Sequence, residues 1–222
     1  LGDHAHSVSV EWDSVATTPA GDFTSVSISP HNPDRVYFGS DKSGLFRSTS
    51  EVPSFARVGA FEGPSPHVLQ PVVELPDHPG TLVLNCLHDL WLSEDAGLSY
   101  TWIESLSGIQ TGVMGVAALP GMVVIAEADG NLWRTTDNFG SIEFAGYAPI
   151  DSPTKDWVED EPAVTLALFD ETTWLLAVRE GGVHRSTDGG LMWEPVLNGP
   201  IDHDSLAVQG AAAMIAASDG IR

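Results

Sequence analysis

Gly181-Gly-Val-His-Arg-Ser-Thr-Asp188-Gly-Gly-Leu-Met-Trp193 decides the fold, because the chain repeats it. Ser43-Gly-Leu-Phe-Arg-Ser-Thr-Ser50, His88-Asp-Leu-Trp-Leu-Ser-Glu-Asp95 and Gly130-Asn-Leu-Trp-Arg-Thr-Thr-Asp137 align with its first eight residues without a gap. Their last residues stand 45, 42 and 51 positions apart, and a fifth copy begins at Ser218-Asp-Gly-Ile-Arg222. An internal period of this size marks a repeat architecture in which each unit buries its apolar face on the next.

Each copy follows a short β-rich run: Arg35–Gly39, Thr81–Asn85, Met122–Ala126, Thr173–Val178 and Ala213–Ala217. A second run precedes each of those: Phe23–Ser29, Pro71–Leu75, Val113–Leu119, Val164–Leu168 and Ser205–Val208. Pro and Gly punctuate the turns between, as in Ser29-Pro-His-Asn-Pro-Asp34 and Leu75-Pro-Asp-His-Pro-Gly80. No stretch holds a 3.6-residue period over the length of a helix. A four-stranded unit of roughly 45 residues has the size of a propeller blade. The expectation is therefore all-β: a five-bladed β-propeller of four-stranded antiparallel blades, one domain over residues 1–222. The blades fall at about 13–61, 62–108, 109–149 and 150–198, with a fifth at 199–222 completed by residues 1–12. His6-Ser-Val-Ser-Val-Glu-Trp12 alternates as a strand does and is predicted to close that last blade against Gly220-Ile-Arg222. The alternative is that both ends belong to a longer propeller. A start at Leu1 rather than Met predicts a processed or trimmed chain, and no signal-like apolar region follows it.

Charge and cysteine usage exclude several function classes. The 222 residues hold 31 Asp and Glu against 9 Lys and Arg, a formal net charge of −22. Nucleic-acid binding needs a basic footprint, and docking on an anionic membrane needs basic residues, so neither partner is expected. Seven Trp and a hydrophobic fraction of 42% supply a core that a disordered acidic tail lacks. The longest uncharged apolar stretch, Gly112–Ala126, is broken by Gly115, Pro120 and Gly121, so no membrane insertion is expected. A single cysteine, Cys86, leaves no internal disulfide and no Cys-rich zinc site, and reads as a buried inert thiol.

The copies resemble the Asp-box, or BNR repeat, of sialidase-like propellers, with the pattern Ser/Thr-x-Asp-x-Gly-x-x-aromatic. Ser186-Thr-Asp188-Gly-Gly190-Leu-Met-Trp193 fits it in full, and Ser93-Glu-Asp95-Ala-Gly97-Leu-Ser-Tyr100 fits with Tyr. Thr135-Thr-Asp137-Asn-Phe-Gly140-Ser-Ile-Glu-Phe144 displaces both the glycine and the aromatic, and Ser48-Thr-Ser50 puts Ser where Asp belongs, with Phe55 as the aromatic. Physically, an Asp in a tight turn accepts the backbone N–H groups that the turn leaves over, a Gly supplies positive φ, and an aromatic packs between sheets. Asp95, Asp137, Asp188, Gly97, Gly190, Tyr100 and Trp193 are therefore expected to be structural, not catalytic.

The resemblance raises glycoside hydrolysis. For sialidases it implies three convergent arginines, a Tyr–Glu nucleophile pair and an acid. This chain has seven arginines: Arg47, Arg134 and Arg185 occupy one repeat position, Arg222 is terminal, and only Arg179 falls near the expected ligand face. Sialidase activity is therefore not expected. A two-carboxylate glycosidase needs only two acids at a suitable separation across a cleft, and stays as the alternative.

Propeller ligands meet the loops at one end of the channel. In this register those loops carry Asp41, Asp89, Asp129, Glu180 and Asp219, one acid per unit. A ring of such acids would attract a cation, calcium being the candidate, whereas acids that cap their own turns would not. Trp157, in the acid-rich insertion Tyr147–Pro162, is a candidate stacking platform, and His203 lies between two acids in another loop. The expected function is a non-catalytic extracellular or periplasmic binding or scaffolding propeller, with a glycan, cation or protein partner at the loop end.

Overall fold

The computed structural model describes residues 23–40, 43–48, 55–58, 71–86, 89–103, 112–150, 164–178, 181–199, 205–209, 212–217 and 220–221. Every regular element among them is a β-strand. The first sheet is β1 (Phe23–Ile28), β2 (Val36–Ser40), β3 (Gly44–Ser48) and β4 (Phe55–Arg57), paired in that order. The second is β5 (Val73–Glu74), β6 (Leu82–Cys86), β7 (Asp89–Ser93) and β8 (Thr101–Trp102). The third is β9 (Val113–Leu119), β10 (Met122–Glu127), β11 (Asn131–Thr135) and β12 (Glu143–Tyr147). The fourth is β13 (Val164–Leu168), β14 (Trp174–Val178), β15 (Gly182–Ser186) and β16 (Glu194–Leu197). All pairings are antiparallel meanders, which short turns between sequential strands dictate.

The last sheet differs. It has three strands among the described residues, β17 (Ser205–Gln209), β18 (Ala212–Ala217) and β19 (Gly220–Ile221). The architecture is thus four blades of four antiparallel strands plus a three-stranded sheet. This corrects the expectation of five four-stranded blades closed by the N-terminal strand. Among the described residues no fourth strand joins the last sheet, and His6–Trp12 lies outside them. β19 pairs with β18 through Ala216↔Ile221 and Ala217↔Gly220, so among the described residues it offers a two-residue edge. An alternating heptapeptide needs a longer row of free N–H and C=O groups to be fixed in register.

The blades stack face to face, and the second strands of blades two and three are buried on both faces. Leu82–Cys86 and Met122–Glu127 are buried throughout, which is why these runs read as continuous apolar segments rather than alternating ones. One cluster joins blades one and two through Tyr37, Leu45, Val58, Val72, Leu82 and Leu84. A second joins blades two and three through Val83, Leu90, Val113, Val123, Ile125 and Phe139. The largest, with Trp174, Leu132, Val124, Leu166 and Leu176, joins blades three and four. The fourth blade turns Ala177 and Val183 to its far side, and β13 packs on β17 of the last sheet. The outermost strands are the most exposed. Pro195 sits in β16, where an edge strand tolerates the missing N–H.

Candidate functional site

The meander fixes two ends. The turns after β2, β6, β10 and β14 share one end with the connections between blades, and the turns after β3, β7, β11 and β15 share the other.

At the second end three turns are built alike. Ser93 Oγ donates to Asp95 Oδ1 at 2.9 Å and accepts from Gly97 N at 2.8 Å, while Ser99 N and Ser99 Oγ donate to Asp95 at 2.9 and 2.6 Å. Thr135 Oγ1 donates to Asp137 Oδ1 at 2.9 Å and accepts from Phe139 N at 3.1 Å, and Ser141 gives Asp137 its N–H and hydroxyl at 2.9 and 2.7 Å. Ser186 Oγ donates to Asp188 Oδ1 at 2.8 Å and accepts from Gly190 N, and Met192 N donates to Asp188 at 2.9 Å. Two consecutive residues in each turn have positive φ: Ala96 and Gly97 (58° and 92°), Asn138 and Phe139 (54° and 68°), Gly189 and Gly190 (73° and 90°). Tyr100 and Trp193 pack against the clusters on the preceding blade, and Trp193 Nε1 donates to Gly190 O at 3.1 Å. The turns are stitched to that blade elsewhere too, for Arg47 Nη1 donates to Ala96 O at 3.1 Å.

These carboxylates are solvent-exposed acceptors held by donors, which favours their charged form. The Ser99 hydroxyl first and its backbone N–H second hold Asp95 down to about 2 from an ordinary 3.8. The Ser141 N–H and hydroxyl lower Asp137, and the Met192 N–H with the Ser186 hydroxyl lowers Asp188. Asp170, in the turn after β13, is held to about 2 by the Thr172 N–H and hydroxyl and by the Thr173 N–H. A folded value below the unfolded one contributes stability that is complete above the unfolded value and lost as pH falls through the folded one. The denaturation midpoint is therefore expected to drop between about pH 4 and pH 2, the range set by these two values. Urea titrations across that range should show the drop shrink in Asp95→Asn, which is also less stable at neutral pH.

The first end carries the ligand candidates. Asp89 opens β7 and is exposed. Asp129 lies in the β10–β11 turn, where Asn131 N donates to its Oδ1 at 3.1 Å and Asn131 Nδ2 to its Oδ2 at 2.7 Å. Asp41, Glu180, Asp219, Trp157 and His203 lie outside the described residues. Among the described residues no three His, Cys, Asp or Glu side chains converge as a metal site would require.

A residue that sequence reasoning passed over joins Asp129. Glu127, the last residue of β10, is 1% exposed, and its Oε2 accepts from Trp133 Nε1 at 2.6 Å and from Asn131 Nδ2 at 3.1 Å. One amide nitrogen thus bridges two carboxylates. The signal was present as an acid closing the apolar run Met-Val-Val-Ile-Ala-Glu127, but the equivalent positions hold Ser40, Cys86 and Val178, so the repeat does not flag it. A second missed acid, Glu74, lies at the other end, buried between blades one and two. Its Oε1 accepts from Gly80 N at 2.8 Å and Arg35 Nη1 at 3.2 Å, and its Oε2 from the Tyr37 hydroxyl at 3.2 Å. Burial first, and the Glu74 charge second, raise the Tyr37 phenol above its ordinary value, keeping it a donor.

No protein-family model matches the chain. No curated protein matches it in sequence. Solved structures do. The chain is similar to the GH74 enzyme of Niastella koreensis at 17% identity and a TM-score of 0.63, covering 93% of this chain and 34% of that one. The GH74 xyloglucanase from Xanthomonas campestris is 16% identical with a TM-score of 0.58, over 88% of this chain and 33% of that one. The extracellular domain of BT4673 from B. thetaiotaomicron is 15% identical with a TM-score of 0.63, over 94% of this chain and 27% of that one. The chain spans about a quarter to a third of the length of these structures. At such identities the likeness speaks to architecture alone: the chain is a β-propeller.

Proposed function

We propose that the chain is a non-catalytic, extracytoplasmic binding propeller, one unit over residues 1–222, whose ligand meets the loop end carrying Asp89 and Asp129. One observation carries this reading. Of the two carboxylates bridged by Asn131, Glu127 is buried, so a ligand at that turn reaches Asp129 but not a second acid of the pair. Hydrolysis of a glycosidic bond by a carboxylate pair requires both to flank the bond. A half-buried carboxylate fixed in place by an amide can accept a hydrogen bond from a sugar hydroxyl or ligate a cation. Asp41, Glu180, Asp219, Trp157 and His203 are further candidate contacts, and the three matching turns at the opposite end are read as structural Asp-boxes. A glycan leads the ligand classes, because GH74 enzymes and a xyloglucanase share the fold; a cation such as calcium, or a protein partner, follows.

A second reading, a glycoside hydrolase using two loop-end carboxylates, is favoured by the closeness of Glu127 and Asp129 at one nitrogen. A glycan array run beside a hydrolysis screen separates the two. The expected result is glycan retention weakened at least about tenfold, roughly 1.4 kcal/mol, by Asp129→Ala, with no product released. Turnover that disappears in Asp129→Asn or Glu127→Gln would establish the hydrolase instead. Thermal stabilisation by millimolar calcium, reduced in Asp129→Asn, would mark a cation as the ligand.

A further inference from the structure

An asparagine can be attacked by its own backbone. The main-chain nitrogen of the next residue closes a five-membered ring on the asparagine Cγ, and a following glycine, lacking a Cβ, lets that nitrogen approach. The chain has five asparagines, Asn32, Asn85, Asn131, Asn138 and Asn198, and all lie among the described residues.

The fold separates them. Asn32 precedes Pro33, which has no N–H to lose. Asn85 is 5% exposed, and its Nδ2 donates to Val113 O at 2.7 Å. Asn131 gives its Nδ2 to Glu127 and Asp129 and is followed by the buried Leu132 in β11. Asn138 precedes Phe139, whose N donates to Thr135 Oγ1 at 3.1 Å. Asn198 alone precedes a glycine. It directly follows β16, at the end of the fold that carries Asp89 and Asp129, and both Asn198 and Gly199 are exposed. Gly199 has φ +103°, and nothing lies within 4 Å of a Cβ built on it. Among the described residues no hydrogen bond holds the Asn198 carboxamide or the Gly199 N–H. An aspartate before glycine can cyclise in the same way, but Gly130 N donates to Glu127 O at 3.1 Å and Gly189 N to Thr172 O at 2.8 Å. The nitrogens that would attack Asp129 and Asp188 are therefore engaged.

We propose that Asn198 is a site of spontaneous covalent modification, the first asparagine of this chain to deamidate. The Gly199 nitrogen gives its proton to water and bonds to Asn198 Cγ, the Cγ–Nδ2 bond breaks, and Nδ2 leaves as ammonia. Water then adds to either carbonyl of the succinimide and opens it to aspartate or to isoaspartate. The sum is amide plus water giving acid plus ammonia, with no change of oxidation state. Two things follow for the protein. A new negative charge appears at the loop end. In isoaspartate the main chain also runs through the side-chain carbons and is one atom longer, directly after Leu197, which pairs with Val183. A Cβ on Gly182 would strike Leu197 O and Gly199 O, so this stretch lies tight against the start of β15, and the extra atom falls where the strand has little room.

Incubating the 222-residue chain in warm, mildly alkaline buffer tests this, with peptide mapping by mass spectrometry and detection of isoaspartate by enzymatic methylation. The synthetic peptide Val-Leu-Asn-Gly-Pro, copied from residues 196–200, supplies the unrestrained rate. The expected result is one added negative charge per chain, mapped to Asn198, with isoaspartate among the products. Its rate should lie within about tenfold of the peptide's, a barrier difference of about 1.4 kcal/mol. Asn198→Gln should abolish the change over the same period, because its ring would need one more atom. Gly199→Ala should slow it at least about tenfold. Both positions are exposed and outside the strands, so both variants should keep the wild-type circular dichroism. A rate more than about tenfold below the peptide's would mean that the fold restrains the pair, and would overturn the proposal. So would a charge change that maps first to another asparagine, one that survives in Asn198→Gln, or a Gly199→Ala protein that reacts as fast as wild type.

Discussion

Replacing Glu74 with alanine is expected to cost about 3–5 kcal/mol of stability, the range for breaking a buried charge pair by removing one partner. Glu74 is 5% exposed and carries three bonds on two oxygens: Gly80 N, Arg35 and the Tyr37 hydroxyl. The last of these comes from β2 of the neighbouring blade, so the carboxylate ties blade one to blade two. Without it, the Gly80 N–H and the buried Tyr37 hydroxyl lose their acceptor, and each unsatisfied buried donor costs about 1–3 kcal/mol. The Arg35 side chain is 31% exposed and can turn to water, so its share is the smallest. Tyr37→Phe removes one bond and should cost about 1 kcal/mol. In the double mutant the losses should sum to less than the two singles, since they share one bond. Urea unfolding followed by Trp fluorescence measures all three. In a stack whose units touch only their neighbours, loosening this seam should release blade one first, so Glu74→Ala should also split the transition. A cost below about 1 kcal/mol in Glu74→Ala would mean that water already solvates the seam.

The two missed acids show where sequence reading stops. Strand positions were legible, because the runs Val113–Leu119 and Val164–Leu168 are apolar, bounded by breakers and repeated in register. The turns after β7, β11 and β15 were legible for the same reason: Ser/Thr, Asp and Gly at fixed spacing define a local hydrogen-bond pattern that needs no distant partner. Glu74 and Glu127 depend on partners that only folding brings near. Glu74 meets Tyr37, and its place in blades three and four is taken by Ala118 and Leu168, so no repeat consensus predicts an acid there. The last sheet has three strands among the described residues where four were expected, and the reading ran out for a related reason. Alternation in His6–Trp12 states that a strand is possible, while the length of its partner edge, two residues in β19, is a property of the other segment. On the loop side, the register placed Asp89 and Asp129 at the same end, but one acid per unit does not make a ring unless the carboxylates point inward. Asp129 instead engages its own turn through Asn131.

Gly190→Ala is expected to cost about 2–5 kcal/mol, from two separable terms. Gly190 has φ +90°, a conformation that costs an L-residue about 1–2 kcal/mol. A Cβ there would also lie 2.5 and 2.9 Å from Cζ3 and Cε3 of Trp174, which is fully buried in the seam between blades three and four and has nowhere to move. Forcing a methyl into a packed core adds about 1–3 kcal/mol. Gly121→Ala isolates the first term: its φ is +74° and nothing lies within 4 Å of the added Cβ, so only the backbone cost remains. The difference between the two melting free energies measures the clash, and equal values would show that Trp174 yields. The repeat itself supplies a natural control. In the turn after β11 the equivalent position is Phe139, at φ 68°, buried in the seam between blades two and three. It fits because the residue facing Thr135 is Val123 rather than a Trp, so a large side chain occupies the room that the indole fills in blade four. The turn and the strand below it are therefore sized as a pair. Combining Gly190→Ala with Trp174→Leu should cost less than the sum of the two single changes, because the second removes the ring that the first strikes. Trp174 Nε1 has no hydrogen-bond partner among the described residues, so the truncation sacrifices packing but no hydrogen bond.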